Sequence, residues 1–340
     1  MSNEVAVIIP THNRSDLLAI TLKNLQHQTH HDLEIVVVDD ASSDDTPDCL
    51  REWQLQDSRI TSYRLDQAGG ACRARNLGAE KSRAPYLCFL DSDDLIHPDK
   101  FAIQLEELEA EPFVDATVCQ MAHFETNPNE AELLWNTFVG DTPRKRFLGH
   151  DPVWGIHGPL WRREAYMKTG GFDDSLPMAQ EYDLYLRALL GGASFQLRPN
   201  LVAFCRRHSG PAISVNRDLP RLQTLNRVFT ASIGRIAAEE RSVLAVNFLW
   251  LAKQAGQLRN AKLAWGASAQ SAHLGLSIPI TMRLCCVLAA WTGRYRFVHW
   301  VQGWADSKNI DLRSRESWYL QHRIDEEPNL VRFEVPEGAY

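Results

Sequence analysis

Residues 86–94 read Tyr-Leu-Cys-Phe-Leu-Asp-Ser-Asp-Asp, so Asp91, Asp93 and Asp94 close an apolar run with three carboxylates in four positions. Acids this close repel one another unless a cation or hydrogen-bond donors neutralise them. Carboxylate oxygens are the ligands that Mg²⁺ and Mn²⁺ prefer. The chemistry on offer is a divalent-metal and phosphate site; the plain alternative is a solvated acidic turn. Other polar groups also follow apolar runs: Thr11-His12-Asn13, then Asp39-Asp40. Gly69-Gly70, followed by Arg73, Arg75 and Asn76, offers backbone amides and a cation to a phosphate or a base. Glu181 and Asp183 stand apart from these acids. A carboxylate there could take a proton as a general base, or merely complement a helix dipole. Arg206-Arg207-His208 would suit a diphosphate or, through His208, a metal; a lone His after a strand also reads as a surface residue.

The elements that must position these groups follow from hydrophobic periodicity. Strands are predicted at 5–9, 33–38, 60–65, 86–90 and 114–121, with helices between them. Ser15 is placed to cap one helix, Thr46-Pro47 starts another, and Pro98 a third. Strand and helix alternate, which predicts parallel strands with right-handed crossovers. In such a sheet the polar strand ends converge along one edge, where ligands bind. No GxGxxG and no GxxxxGK[ST] occurs, so neither the dinucleotide nor the P-loop route is supported. Over 122–155 the periodicity fades, and Arg144-Lys145-Arg146 reads as a solvated loop. Helices are expected through Tyr166 and over 180–190, and a last strand at 201–205. Past about 215 the pattern is helical, at 219–237, 241–258 and 261–274. The tail after Asp325 reads as loosely ordered.

The 340 residues exceed what one core usually needs, and two units are expected. The net charge of −7 divides unevenly: 20 basic against 32 acidic residues over 1–215, and 16 against 11 over 216–340. The acidic part excludes nucleic acid as a partner. The basic part, with six of the ten Trp, leaves room for an acidic partner or a membrane surface. Over 291–304, Trp291, Arg294, Tyr295, Arg296, Phe297, Trp300 and Trp304 mix aromatic and basic groups. A helical cap and an interfacial helix would both look like this. Seven cysteines with no CxxC pair point to free thiols in a reducing compartment. Met1-Ser2-Asn3-Glu4 lacks the basic n-region of a secretory signal, and no apolar run reaches the ~18 residues of a membrane span.

Seven stretches in order carry a resemblance: Val-Ile-Ile-Pro-Thr-His-Asn-Arg (7–14), Val-Val-Asp-Asp-Ala-Ser-Ser-Asp (37–44), Gly-Gly-Ala-Cys-Arg-Ala-Arg-Asn-Leu-Gly (69–78), Phe-Leu-Asp-Ser-Asp-Asp (89–94), Gly-Gly-Phe-Asp (170–173), Gln-Glu-Tyr-Asp-Leu-Tyr-Leu-Arg (180–187) and Arg-Arg-His-Ser-Gly (206–210). Together, over about residues 4–215, the chain resembles an inverting family 2 glycosyltransferase. The resemblance implies an α/β fold of the GT-A, nucleotide-diphospho-sugar transferase type: a Rossmann-like mixed sheet with a C-terminal helical extension. It divides the chain into a catalytic domain at 1–215 and a helical region at 216–340, serving as cap, oligomerisation element or membrane-surface contact.

The implied reaction moves a sugar from a nucleotide donor, a UDP-sugar favoured, to a hydroxyl of a glycan or lipid-linked acceptor, with Mn²⁺ or Mg²⁺. It belongs to polysaccharide or glycoconjugate synthesis in the cytoplasm or at the inner membrane face. Carried over by position, Pro10, His12 and Asn13 would lie along the nucleotide and Asp40 would bond the base. Arg75 and Asn76 would hold the nucleotide, and Asp91 the ribose. Asp93 would bind the metal, and His208 the metal or diphosphate. Two departures stand out. His12 replaces the family's frequent Tyr or Phe before Asn13. Gln180-Glu181 replaces the usual Glu-Asp, so Glu181, the expected base with Asp183 second, reaches one methylene further. Two other classes compete: a nucleotide-sugar-binding protein without transferase activity, and a nucleotidyltransferase. A homo-oligomer stays open.

Overall fold

The computed structural model describes residues 4–207, 218–292, 296–312, 322–327, 329–336 and 338–340. The chain runs β1 (Val5–Thr11), α1 (Ser15–Gln26), β2 (Leu33–Asp39), α2 (Thr46–Gln56), β3 (Ile60–Arg64), α3 (Gly70–Lys81), β4 (Tyr86–Phe89), β5 (Leu95–Ile96), α4 (Lys100–Ala110) and β6 (Ala116–Phe124). It continues through β7 (Leu133–Leu134), α5 (Pro143–Leu148), β8 (Pro159–Arg162), α6 (Arg163–Lys168), α7 (Gln180–Leu190) and β9 (Phe195–Arg206). Five helices follow, α8 (Leu219–Ser232), α9 (Arg241–Gln257), α10 (Ala261–His273), α11 (Ile280–Thr292) and α12 (Arg296–Ser307), then β10 (Val331–Arg332).

The sheet is mixed, in the order β10-β9-β6-β8-β4-β1-β2-β3. β1 is buried along its whole length, with no alternation, as a strand covered on both faces must be. α3 lies close against it: a Cβ on Gly78 would stand 2.5 Å from Ile8 Cγ2. β1 pairs in parallel with β2 and β4, and β2 with β3, as strand–helix alternation predicts. The parallel order stops at β4. β8 inserts between β4 and β6 and runs antiparallel to both. It is held there by Arg162, whose guanidinium donates to the carbonyls of Val114 and Leu108 at 2.9 and 2.5 Å.

Register brings the strand ends together. Thr11 lies opposite Asp39, and Ile8 opposite Phe89, so Thr11, Asp39 and Asp91 leave the sheet at one edge.

Two sequence readings need correction. Residues 143–148 form α5, and the basic run there is neither a solvated loop nor a phosphate clamp. Arg146 is buried against Asp151 and Asn136, and Arg144 grips Glu240 through Nε and Nη2 at 2.6 and 2.9 Å. The described tail is also tied down: Asn24 donates to Ala339 O at 2.7 Å, and Val335 N donates to Asn129 Oδ1 at 2.8 Å. Buried Val335 and Ala339 close a small apolar cluster there. α12 buries Val298, Val301 and Ala305 and leaves Trp300 exposed.

Among the described residues, no helix is long and apolar enough to cross a membrane.

Candidate active site

The acidic turn follows β4 at the convergent edge. Asp91, Asp93 and Asp94 each offer a carboxylate oxygen, all within 4.8 Å of one another. Oxygen donors at that spacing fit a hard divalent cation. Protein cations share the load. Arg75 Nη2 donates to Asp91 Oδ1 at 2.6 Å, and Arg14 Nη1 to Asp93 Oδ2 at 2.5 Å. Asp94 is held differently: Arg206 N donates to its Oδ1 at 2.8 Å, and His157 Nδ1 stands 3.1 Å from its Oδ2. The pKa values separate accordingly. Burial works against ionisation of Asp91, but Arg75 outweighs it and the net shift is downward. Burial raises Asp94, with His157 pulling back and the neighbouring acids adding to the rise. Asp94 therefore anchors the turn, while Asp91 is held in its anionic form by Arg75.

The ends of β1 and β2 form the next part of the edge. Pro10 is buried in β1, and His12 and Asn13 are exposed just beyond it. His12 Nδ1 donates to Asp40 O at 2.6 Å. Asn13 takes a left-handed φ of 50°, which Asn tolerates better than most residues. Its Oδ1 accepts from Ser43 N at 2.7 Å and so shapes the turn after β2. Asp39 is turned to Arg64 and to Ser42 N. The Asp40 carboxylate accepts from Gly69 N and Gly70 N at 2.6 and 2.8 Å. It thus caps the positive end of α3, and this is its partner set among the described residues.

Arg75 joins the acidic turn to α7. This buried guanidinium donates to Asp91 and, through Nη1, to Gln180 Oε1 at 3.2 Å, and it lies 5.3 Å from the Phe172 ring centroid. Burial alone would lower its pKa, but Asp91 and Glu181 reverse that and the net shift is upward. Gln180 begins α7, so Glu181 follows at once, half-buried and without a hydrogen bond or ion pair among the described residues. Asp183 is different. It is buried and accepts from Arg187 Nε at 2.7 Å, and burial raises its pKa despite that partner. Arg187 in turn donates to the carbonyls of Thr169 and Gly171 at 2.6 and 2.7 Å. Asn76 is likewise occupied within the protein. Its Nδ2 donates to Phe172 O at 2.8 Å, and its Oδ1 accepts from Phe172 N at 2.9 Å and Tyr166 Oη at 3.2 Å.

Of the residues singled out in the sequence, the structure gathers Asp91 and Arg75 with the start of α7, and Pro10, His12 and Asn13 with Asp40. Asn76 and Asp183 lie beneath this edge with inward partners. His208 lies outside the described residues. Arg14 and His157 had drawn no role from sequence. Their partners Asp93 and Asp94 are 79 and 63 positions away, and only the pairing of β1 with β4 and of β4 with β8 brings them near.

A family model described as Glycosyl transferase family 2 matches residues 6–170. The chain is 39% identical over 102 residues to the putative teichuronic acid biosynthesis glycosyltransferase TuaG of Bacillus subtilis (strain 168). That match covers 30% of this chain and 40% of the relative, so the chain spans well under two thirds of that protein. Among solved structures it is similar to S. aureus TarS 1-349 in complex with UDP-GlcNAc, with a TM-score of 0.63 at 17% identity, over 98% of this chain and 97% of the other. It is also similar to the mannosyltransferase PcManGT from Pyrobaculum calidifontis in complex with GDP-Man and Mn²⁺, with a TM-score of 0.54 at 20% identity, over 96% and 89%. At these identities the two structures speak for the fold, while chemistry must be argued from the site.

Proposed function

We propose that the chain, which matches the family 2 glycosyltransferase model over residues 6–170 and has a GT-A fold, carries out a divalent-metal-dependent, inverting transfer of a sugar from a nucleoside-diphosphate sugar to an acceptor hydroxyl. One observation carries the reading: Arg75 bonds Asp91 at the end of β4 and Gln180 at the start of α7. That link keeps the turn bearing Glu181 beside the acidic edge.

In this reading the nucleotide lies along Pro10, His12, Asn13 and Asp40, with Arg75 and Asp91 below it. Donor complexes of the two similar structures, with UDP-GlcNAc and GDP-Man, support a nucleotide sugar; a UDP-sugar is our choice. Asp91 and Asp93 would hold the cation, for which the Mn²⁺ of the Pyrobaculum mannosyltransferase is a precedent. A divalent ion held there would supply positive charge against that of the departing diphosphate. Asp94 fixes the turn from behind. Glu181 accepts the acceptor's hydroxyl proton as the new C–O bond forms and the bond to the diphosphate breaks. Its side chain carries no competing partner among the described residues, whereas Asp183 is committed to Arg187. An acceptor of glycan or lipid-linked type suits the teichuronic acid biosynthesis of the Bacillus relative. All seven cysteines are free thiols, which favours a reducing, cytoplasmic setting. The proposed division is a catalytic domain at 1–215 and a helical region at 216–340.

The test is a donor panel with Mn²⁺, read by nucleotide release, with the product anomer assigned by NMR. Glu181→Gln should lower kcat by about 10²–10⁴-fold and leave the donor Kd unchanged by calorimetry. Unchanged turnover would remove Glu181 from the role of base. A product retaining the donor's anomeric configuration would remove the single displacement.

A further inference from the structure

We propose that the outer face of α11 docks on an anionic phospholipid surface. Four residues spaced along one side of this helix stand in solvent: Ile280 is 59% exposed, Leu284 44%, Leu288 40% and Trp291 78%. The opposite side, with Cys285, Cys286, Ala289 and Ala290, is buried. The exposed row follows steps of four, four and three, which is one face of an α-helix. Arg283 sits 4.6 Å from the Trp265 ring centroid, which brings that 41%-exposed tryptophan of α10 to the margin of the row. Trp300, on α12, is 57% exposed. Monomeric proteins seldom leave such a row of large apolar groups bare unless it meets a partner.

Charge identifies the occupant. Along residues 258–308 the basic residues among those described with side chains are Arg259, Lys262, Arg283 and Lys308, against a single acidic one, Asp306. An apolar row on a segment so poor in acids complements an anionic lipid interface, which attracts cations near its surface. Tryptophans at the margin favour the same place, since the indole buries its rings and keeps its N–H wet. A second copy fits less well: a two-fold contact would set this positive surround against itself. The helix has 13 residues, about 20 Å, and so would lie in the interface rather than cross a core of ~30 Å.

The test is flotation of the full chain with vesicles of equal parts phosphatidylglycerol and phosphatidylcholine, against pure phosphatidylcholine. It needs neither donor nor acceptor, so its outcome is separate from that of the sugar-transfer reading. The wild type should float with the anionic vesicles, and less so as salt rises. Leu284→Ser with Leu288→Ser should lower the partition coefficient by about tenfold or more, with the far-UV spectrum kept. Should that pair unfold, two further measurements decide. Lys262→Glu should weaken binding to the anionic vesicles, and brominated lipid should quench wild-type fluorescence more than that of Trp291→Phe. Equal binding to both vesicle types overturns the proposal, as does variant binding equal to wild type. So does a concentration-dependent dimer, without vesicle binding, that the serine pair dissolves.

Discussion

Asp93 is where the charge arrangement is most readily tested. Its carboxylate is 11% exposed and pairs with Arg14. It offers an oxygen within 4.8 Å of those of Asp91 and Asp94, a spacing that a shared cation can bridge. Asp93→Asn keeps the size of the side chain and should leave the cooperative melt of the metal-free protein in place. It should cut turnover by about 10²-fold or more and abolish the stabilisation that Mn²⁺ gives the wild type in a thermal-shift titration. A variant that keeps Mn²⁺-dependent turnover would exclude Asp93 from the metal site. Asp94 is held instead by Arg206 N and His157.

At the scale of elements, the turn before α7 decides where Glu181 stands. Gly170 and Gly171 both take positive φ, 80° and 75°, a region costly for any residue with a Cβ. A Cβ on Gly171 would also stand 2.7 Å from Asn76 Oδ1. Asn76 clamps Phe172 through both ends of its amide, while Arg187, steadied by Asp183, holds the carbonyls of Thr169 and Gly171. Phe172 in turn lies under Arg75. The clamp is partly buried, so its loss leaves backbone groups unpaired at about 1–3 kcal/mol. Asn76→Ala should lower the melting temperature by about 2–6 °C and reduce kcat more than it raises the donor's KM, because α7 loosens while the nucleotide edge persists. A donor KM raised with kcat unchanged would instead make Asn76 a nucleotide contact.

At the scale of the molecule, the helical region is fastened to the sheet. One hydrophobic cluster runs from Val5 in β1 to Leu312 after α12. His150, beyond α5, lies with its ring centroid 5.3 Å from Tyr182, 5.7 Å from Phe229 and 5.1 Å from Trp250. Asn247 of α9 donates to Leu148 O at 2.6 Å, and Arg144 grips Glu240. A chain ending at residue 215 would bare these aromatic rings and lose β10. It should aggregate or lack a cooperative melt, whereas the full chain should melt with the two regions together. A soluble fragment with a sharp melt near that of the full chain would make the regions independent folding units.

Sequence alone determined the alternating strands and helices of the first 120 residues, the convergence of polar strand ends, the helical character past 215 and the family likeness. Hydrophobic period and turn chemistry are local, and the motifs lie within short stretches, so these are written along the chain. The insertion of β8 between β4 and β6 was not legible, because a four-residue strand leaves no period of its own. Partners were not legible either. That Asp40 is bound by the amides of α3, that Arg75 links Asp91 to Gln180, and that Arg14 and His157 face the acids all depend on contacts between residues 16 to 105 positions apart. Only the tertiary structure decided which carboxylates are committed to neighbours and which remain turned to the edge. A side chain's charge and reach are set by its type, but its free valence is set by what packs beside it.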